Sequence, residues 1–489
     1  MQRETQGVSS NWKSSIQFAM LTILFCIPQD MSQQGSGAGK ADRWHWAVSS
    51  LRGRFHTQAR DVVASEQGGA FVTGFISIET VFGEEVARVE DEGALFVARY
   101  SEKGDVAWVK SLGDRGTASG SGITISNSGV VYITGSLGSS ISKGNPGLMN
   151  FPGGKLESHS KGNVILLAMS KAGDVLWATQ LICEGNASGE KVAVDREGNV
   201  FVSGSFDGVL LARGQQASQG LDFFVSKFDK KGNLVWLQTA GGRGRDEAKG
   251  IVADQKGNCY VTGFFQRDAQ FGGMTLEDRG NTDFFLAKYT LEGSVAWVKR
   301  GGGDGLAYGI AVDREGSLYV TGGFSGKLGA GSTEIQSSVD PRSVGPPTRD
   351  MFLMKFDNNG RSMWGSVNGF GIGSDFGESI DIDKDGAIYV TGSFFVPFQE
   401  GEKETPRGDS RRGHIQMFLA KYNSHGNMEW LDQSKGSRNS SCEATSVSVN
   451  QLGGGYVTGF YSGSVVVGNS QLDSRGGDIF LGRFRLQRP

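Results

Sequence analysis

Residues 283–324 read DFFLAKYTLEGSVAWVKRGGGDGLAYGIAVDREGSLYVTGGF. Two hairpin signatures share that stretch. The apolar run ending at Tyr289 meets the turn Thr290-Leu-Glu-Gly293 and then a strand carrying Trp297. The run Gly309-Ile-Ala-Val-Asp313 meets the turn Asp313-Arg-Glu-Gly316 and then the β-branched, aromatic strand Leu318-Tyr-Val-Thr321. Short strands punctuated by glycine turns are the mark of antiparallel β structure. The Tyr-Val-Thr-Gly segment recurs in close variants ending at Gly74, Gly135, Gly204, Gly263, Gly322, Gly392 and Gly459.

The spacings separate what is mechanically fixed from what varies. From Ser65, Ser126, Asp195, Asp254, Asp313, Asp383 and Asn450 to the next of those glycines is nine residues in every copy, which demands a tight hairpin. A second hairpin runs twelve residues from Phe96, Phe224, Phe285, Phe352 and Phe418 to a tryptophan, and eleven from Leu166 to Trp177. The stretches between these hairpins differ in length and are predicted to be loops. Four short strands per unit, named A (Gly-Ile-Ala-Val-Asp), B (Tyr-Val-Thr-Gly), C (Phe-Leu-Ala-Lys-Tyr) and D (the tryptophan strand), describe a β-propeller blade. The expected fold is all-β, a seven-bladed β-propeller with four antiparallel strands per blade. The A–B and C–D turns are expected on one face and the B–C and D–A connections on the other.

After the last C strand, residues 479–484, no tryptophan follows, whereas Trp46 precedes the first A strand. The N-terminal strand, residues 44–49, is therefore predicted to pair with the C-terminal blade and leave no open edge. Seven of the nine tryptophans (Trp46, Trp108, Trp177, Trp236, Trp297, Trp364, Trp430) fall at the D position and are expected to anchor packing between blades.

Composition bounds the function. Glycine is 76 of 489 residues but proline only 9, so glycine marks turns rather than disorder. A net charge of −3 with interspersed signs argues against nucleic acid, which requires a basic stripe. Cys26, Cys183, Cys259 and Cys442 show no zinc spacing, and the last three fall at non-equivalent places in different copies. Residues 16–28 (IQFAMLTILFCIP) follow Arg3 and Lys13 and have the length of a secretory signal core, too short to span a bilayer. The organisation expected is a signal or lipoprotein-type signal over 1–30, a flexible linker over 31–43, the propeller over 44–484 and a tail over 485–489. Cys26 is the candidate lipidation residue. No later segment has the apolar length of a membrane span.

These residues resemble the bacterial SBBP-type β-propeller repeat, carried by Gly-Ile-Ala-Val-Asp, Tyr-Val-Thr-Gly and Asp-Phe-Phe-Leu-Ala-Lys-Tyr at 309–325 and 283–297. The resemblance covers about residues 44–484 and implies an exported or envelope-attached protein, in the periplasm, as an outer-membrane lipoprotein or at the cell surface. It implies no common activity. Ser65, Ser126 and Asn450 depart from the pattern by replacing the strand-A aspartate, and Ser170 by replacing the usual tyrosine. Tyr289 to Trp297 is also similar to the docking motif of quinoprotein propellers, and Asp229 to Trp236 to a sialidase Asp-box; both are explained as C–D hairpins.

No catalytic constellation is evident: His45, His56, His159, His414 and His425 occupy non-equivalent places. Asp381, Asp383 and Asp385, followed by Gly386, have the alternating spacing of a calcium loop but lack its closing glutamate, so they are the candidate metal ligands. No other cofactor is expected. Three enlarged B–C loops, about 139–161, 327–348 and 396–413, should project from one face. With the D–A residues Arg243, Arg245, Asp246, Asp304 and Asp375 they form the candidate binding face. The leading expectation is a non-enzymatic, monomeric scaffold that binds a protein partner. The alternative is a glycan-directed lyase, hydrolase or lectin.

Overall fold

In the computed structural model, which describes residues 43–50, 57–140, 142–212, 214–277, 282–338, 348–370, 373–397, 413–437 and 439–486, the nine-residue spacing is a tight hairpin in every copy. Asp313 shows why. Its amide N–H donates to Ser317 O, its Oδ1 accepts from Ser317 N (2.7 Å) and its Oδ2 from Tyr319 OH (3.1 Å). Asp254 and Asp383 take the same tyrosine bond. The substitutes keep the turn: Ser126 Oγ accepts from Val130 N, and Asn450 Oδ1 from Leu452 N and Gly454 N.

The described residues contain strands and no helix. The same four-stranded antiparallel meander recurs along the chain, with strand order A-B-C-D. In the first copy it comprises Gln58–Ala64, Ala70–Ile76, Ala94–Tyr100 and Val106–Leu112, and in the second Thr117–Ile125, Val131–Gly138, Asn163–Met169 and Val175–Leu181. The third holds Cys183–Val194, Val200–Leu211, Asp222–Phe228 and Leu234–Gly242, and the fourth Glu247–Ala253, Cys259–Phe265, Asp283–Tyr289 and Val295–Gly301. The fifth holds Gly305–Val312, Leu318–Phe324, Asp350–Phe356 and Ser362–Asn368, and the sixth Asp375–Ile382, Ile388–Pro397, Gly413–Tyr422 and Met428–Gln433. In the last, Ser441–Val449, Gly454–Val467 and Ser470–Arg485 are completed by Trp44–Ser49, with Trp46 opposite Arg483 and Ser49 opposite Phe480. The predicted closure of the C-terminal sheet by the N-terminal strand is therefore what the chain does.

Each A strand packs on the A strand of the next copy, and Ser441–Val449 packs on Gln58–Ala64, so the sheets form a β-propeller arrangement. The apolar clusters lie between consecutive sheets. One joins Ala59, Val72 and Phe96 to Tyr456, Ile479 and Leu481, the two ends of the chain.

The eleven-residue exception disappears. Ile165, not Leu166, faces Gly135 as Phe96 faces Gly74, and its carbonyl accepts from Thr134 Oγ1 (2.9 Å) as that of Phe96 accepts from Thr73 (2.8 Å). Ile165 to Trp177 is twelve residues like the rest. By the same register Met169, not Ser170, stands where Tyr100 stands. The B–C connections also differ from the expected loops. Hairpins Thr80–Phe82/Glu85–Ala87, Gly147–Phe151/Gly154–Ser158, Ala269–Phe271/Met274–Leu276 and Lys327–Ala330/Thr333–Gln336 are docked by buried Phe82, Met149, Phe271 and Leu328. The residues 1–42, with Cys26, and 398–412 of the third long loop lie outside the described residues.

At the rim the indoles act between sheets. Trp46, Trp108, Trp177 and Trp236 donate to Glu102 O, Lys171 O, Lys230 O and Leu291 O, each in the C–D turn of the next copy (3.0–3.2 Å). The glycine of each such turn has φ between +74° and +94°, and a Cβ there would lie 2.6–3.2 Å from the indole. At the seam no C–D turn follows Trp430. The Arg43 guanidinium sits 4.1 Å from its ring centroid instead, and pairs with Asp432 (2.7 Å), which also accepts from Trp44 Nε1 (3.2 Å).

The Tyr-Val-Thr-Gly glycine is required by space rather than by φ. In every copy a Cβ would overlap an A-strand carbonyl: that of Gln58, Ser119, Ser188, Glu247, Leu306, Phe376 or Glu443. A β-bulge lies opposite it, where pairing jumps from Ala59 to Asp61 and correspondingly in the other copies. Gly322→Ala is expected to lose about 1–3 kcal/mol in chemical denaturation. Gly329→Ala, where nothing lies within 4 Å, should stay within about 0.5 kcal/mol of wild type. Equal midpoints for the two variants would contradict the bulge constraint.

Candidate functional site

The bulge leaves one unpaired residue per A strand, and these residues meet at the axis. Arg60, Ser121, Glu190, Lys249, Tyr308, Glu378 and Thr445, with Gln58 and Lys191, line a cavity of about 250 Å³. Each ring residue lies fourteen positions before its Tyr-Val-Thr-Gly glycine, a spacing visible in the sequence but carrying a different side chain each time. Two positions further along come Val62, Ile123, Val192, Ile251, Ile310, Ile380 and Val447, all buried. The A strands run on past this aliphatic belt to a separate polar hollow of about 130 Å³ at the A–B turns, lined by Glu66, Arg314, Lys384 and Gln451 among others. The larger cavity is thus a cup at the early end of the A strands, on the side of the B–C and D–A connections.

Most charges in the cup are already matched. Lys249 pairs with Glu247 (2.5 Å) and approaches Glu190 (3.9 Å). Burial, which would lower its ammonium, is outweighed by those two carboxylates, and its pKa is raised. Glu247 also holds Arg245. Lys191 reaches Asp61 (2.9 Å), which accepts from Ile123 N (3.0 Å) and Ser446 Oγ (2.6 Å) as well, tying together four consecutive A strands. Two groups differ. Arg60 is exposed and makes no hydrogen bond or ion pair to a described residue. Burial pushes the Glu378 carboxyl up to about 7; Glu443 adds to the rise, while Lys249 and Lys191 oppose it.

The expected binding face is only partly available. Asp246 is buried, accepts from Gly242 N (2.7 Å) and Gln266 N (3.0 Å), and burial pushes it up to about 7. Asp375 is buried and accepts from Phe370 N (2.7 Å). Asp304 joins Ser325 Oγ to Arg349 (2.9 Å). Asp246 and Asp375 are thus engaged in holding connections in place, and Asp304 is tied to Arg349 while staying part-exposed. Arg243 and Arg245 are exposed, and Arg245 lies near enough to the cup for its charge to act on Tyr308.

Asp381, Asp383 and Asp385 do not converge on a cation site. Among the described residues no three His, Cys, Asp or Glu side chains are placed to hold a metal. Asp381 accepts from Val449 N (2.8 Å) and Ile382 N, with burial pushing it up to about 6. Asp383 is used by its own turn, and Asp385 is exposed. Cys183, Cys259 and Cys442 are free and buried. Tyr289 to Trp297 and Asp229 to Trp236 belong to C–D hairpins. Sequence reasoning missed the cup because its members are spread one per copy and share no residue type.

No known protein-family profile matches the chain. Over 137 residues, 27% of this chain, it is 31% identical to the regulatory protein FlaEY of Caulobacter vibrioides, of which 14% is covered. Over 376 residues, 61% of this chain, it is 24% identical to an uncharacterized WD repeat-containing protein of Acanthamoeba polyphaga mimivirus, of which 27% is covered. The chain therefore spans under a third of either relative. Among solved structures, a Dyadobacter fermentans protein of unknown function is similar over 91% of this chain and 99% of its own, at 8% identity and a TM-score of 0.43. An ulvan lyase, a polysaccharide lyase, is similar over 86% and 92%, at 11% identity and a TM-score of 0.39.

The Glu378 environment has a measurable consequence. Its pKa rises on folding from 4.5 to about 7, so the unfolded state loses its proton first and stability falls as pH rises between those values. Facing it are Glu443, Lys249, Lys191 and Tyr308. Glu378→Gln should raise stability at pH 8, on the order of 2 kcal/mol, and leave it unchanged at pH 4. Equal melting-temperature shifts at the two pH values would refute the assignment.

Proposed function

We propose that the chain is a seven-bladed β-propeller of the SBBP repeat type that serves as a non-enzymatic interaction scaffold at a bacterial envelope, binding a protein partner through the face of the B–C hairpins. Seven blades is supported by the occurrence of one meander for each Tyr-Val-Thr-Gly copy and by the cyclic packing of the A strands. Export is supported by the signal-like run at 16–28.

One observation favours a protein over a glycan on that face. Glycan grooves stack sugars on exposed aromatic rings, and among the described residues no Phe, Tyr or Trp is exposed; the exposed large apolar side chains are aliphatic. Val86 (39% exposed) and Met274 (38%) sit on B–C connections, Leu211 (39%) at the end of the third B strand and Ile182 (45%) on a D–A connection, while Leu176, Val235, Leu291, Met363 and Leu452 lie on D strands and on C–D and A–B turns. Aliphatic side chains carried by connections on a rigid ring suit protein contact better than sugar stacking. The indoles of Trp46, Trp108, Trp177 and Trp236 are occupied between sheets.

The test is cross-linking capture from bacterial envelope extract with the wild-type chain and with the triple variant Val86→Lys, Leu211→Lys, Met274→Lys, alongside a glycan array. The expected result is a defined set of proteins captured by wild type, reduced at least tenfold in the variant, and no array signal. Retention of every partner by the variant, or glycan binding at micromolar strength, would refute the scaffold reading.

A further inference from the structure

We propose that the axial cup is a binding site for a small zwitterion of the α-amino acid class, its carboxylate held by Arg60 and its ammonium by Glu378, with Thr445 between them. The argument begins with the bulge. It places one side chain per copy at the axis irrespective of residue type, so the fold does not dictate the ring's chemistry. The cations Lys249 and Lys191 are paired with Glu247 and Asp61, and Glu190 lies beside Lys249.

One cation and one acid remain without a hydrogen bond or ion pair to any described residue: Arg60 in the first copy and Glu378 in the sixth. The copy between them in the ring contributes Thr445, whose hydroxyl donates to Ala59 O (3.0 Å) and keeps its lone pairs. A guanidinium is the natural fork for a carboxylate, and a carboxylate withdrawn from water calls for a cation. A ligand with one charge of each sign satisfies both and adds no net charge to the cup. The volume of about 250 Å³ suits a ligand of a few heavy atoms to amino-acid size rather than an oligosaccharide. The lining residue Tyr308 is held edge-on by Phe376, with ring centroids 6.0 Å apart, and its ring is the one aromatic surface in the cup.

The experiment is isothermal titration of the full chain at pH 8 with glycine, alanine, leucine, glutamate and lysine, and with acetate and methylammonium as the two halves. At least one amino acid should bind with a Kd below about 1 mM, and both halves at least tenfold more weakly. Arg60→Gln, a change at an exposed residue that leaves the fold intact, and Glu378→Gln, checked by its melting curve, should each weaken that binding at least tenfold. Absence of binding by every amino acid, wild-type affinity in either variant, or acetate or methylammonium binding as tightly as the zwitterion would each overturn the proposal.

Discussion

At each Tyr-Val-Thr-Gly glycine the A-strand carbonyl of the same sheet occupies the space a Cβ would need, and the architecture at the axis depends on that vacancy. Because glycine admits the carbonyl, the A strand can carry an extra residue there, and the bulge sharpens its twist where the sheets converge. Thr73 and its counterparts fix the other side of the same position by donating to the C-strand carbonyl. A neighbouring sheet is locked in by the same motif: a Cβ on Gly120, Gly189 or Gly377 would strike the hydroxyl of the Tyr-Val-Thr-Gly threonine one copy earlier.

At the rim a different device does the joining. The indole of one sheet lies over the C–D turn glycine of the next and donates to that turn's backbone, so a left-handed glycine and a tryptophan are selected together. The seam shows what the device supplies, because there the chain has to replace it. Trp430 has no turn to cover it and its indole N–H finds no acceptor among the described residues. Arg43 covers the ring with a cation, and Asp432 holds both Arg43 and the Trp44 indole.

The strands, the two fixed hairpins and the partner of Trp46 were legible in the sequence because each is set by local turn chemistry at constant spacing. The B–C hairpins were not, since their turns sit in stretches of differing length. Gly83, Gly272, Gly331 and Gly468, with φ near +60°, mark them only once the strands are aligned. Leu166 was misaligned with the phenylalanines because Ile165 is aliphatic, and apolar identity at one position cannot fix register when its neighbour is equally apolar. Asp246 and Asp375, at the ends of glycine-rich connections, have a local role that their charge alone does not reveal. Buried backbone amides there need acceptors, and those carboxylates provide them.

The axial ring escaped a search for motifs for a related reason. Catalytic and metal motifs are recognised by close spacing, whereas here convergence comes from rotation about an axis and the members lie 59 to 70 residues apart. The repeat pattern nevertheless isolates them. A position that packs on its neighbours is held to one kind of residue, as the aliphatic belt from Val62 to Val447 is. Two residues earlier, the side chain enters open space, and the copies hold Arg, Ser, Glu, Lys, Tyr, Glu and Thr. Packing cannot account for that set. A half-buried acid among them, whose nearby lysines are already paired with Asp61 and Glu247, costs the folded state free energy that an apolar or amide side chain at the same bulge would avoid, and a ligand bringing a cation of its own offsets it.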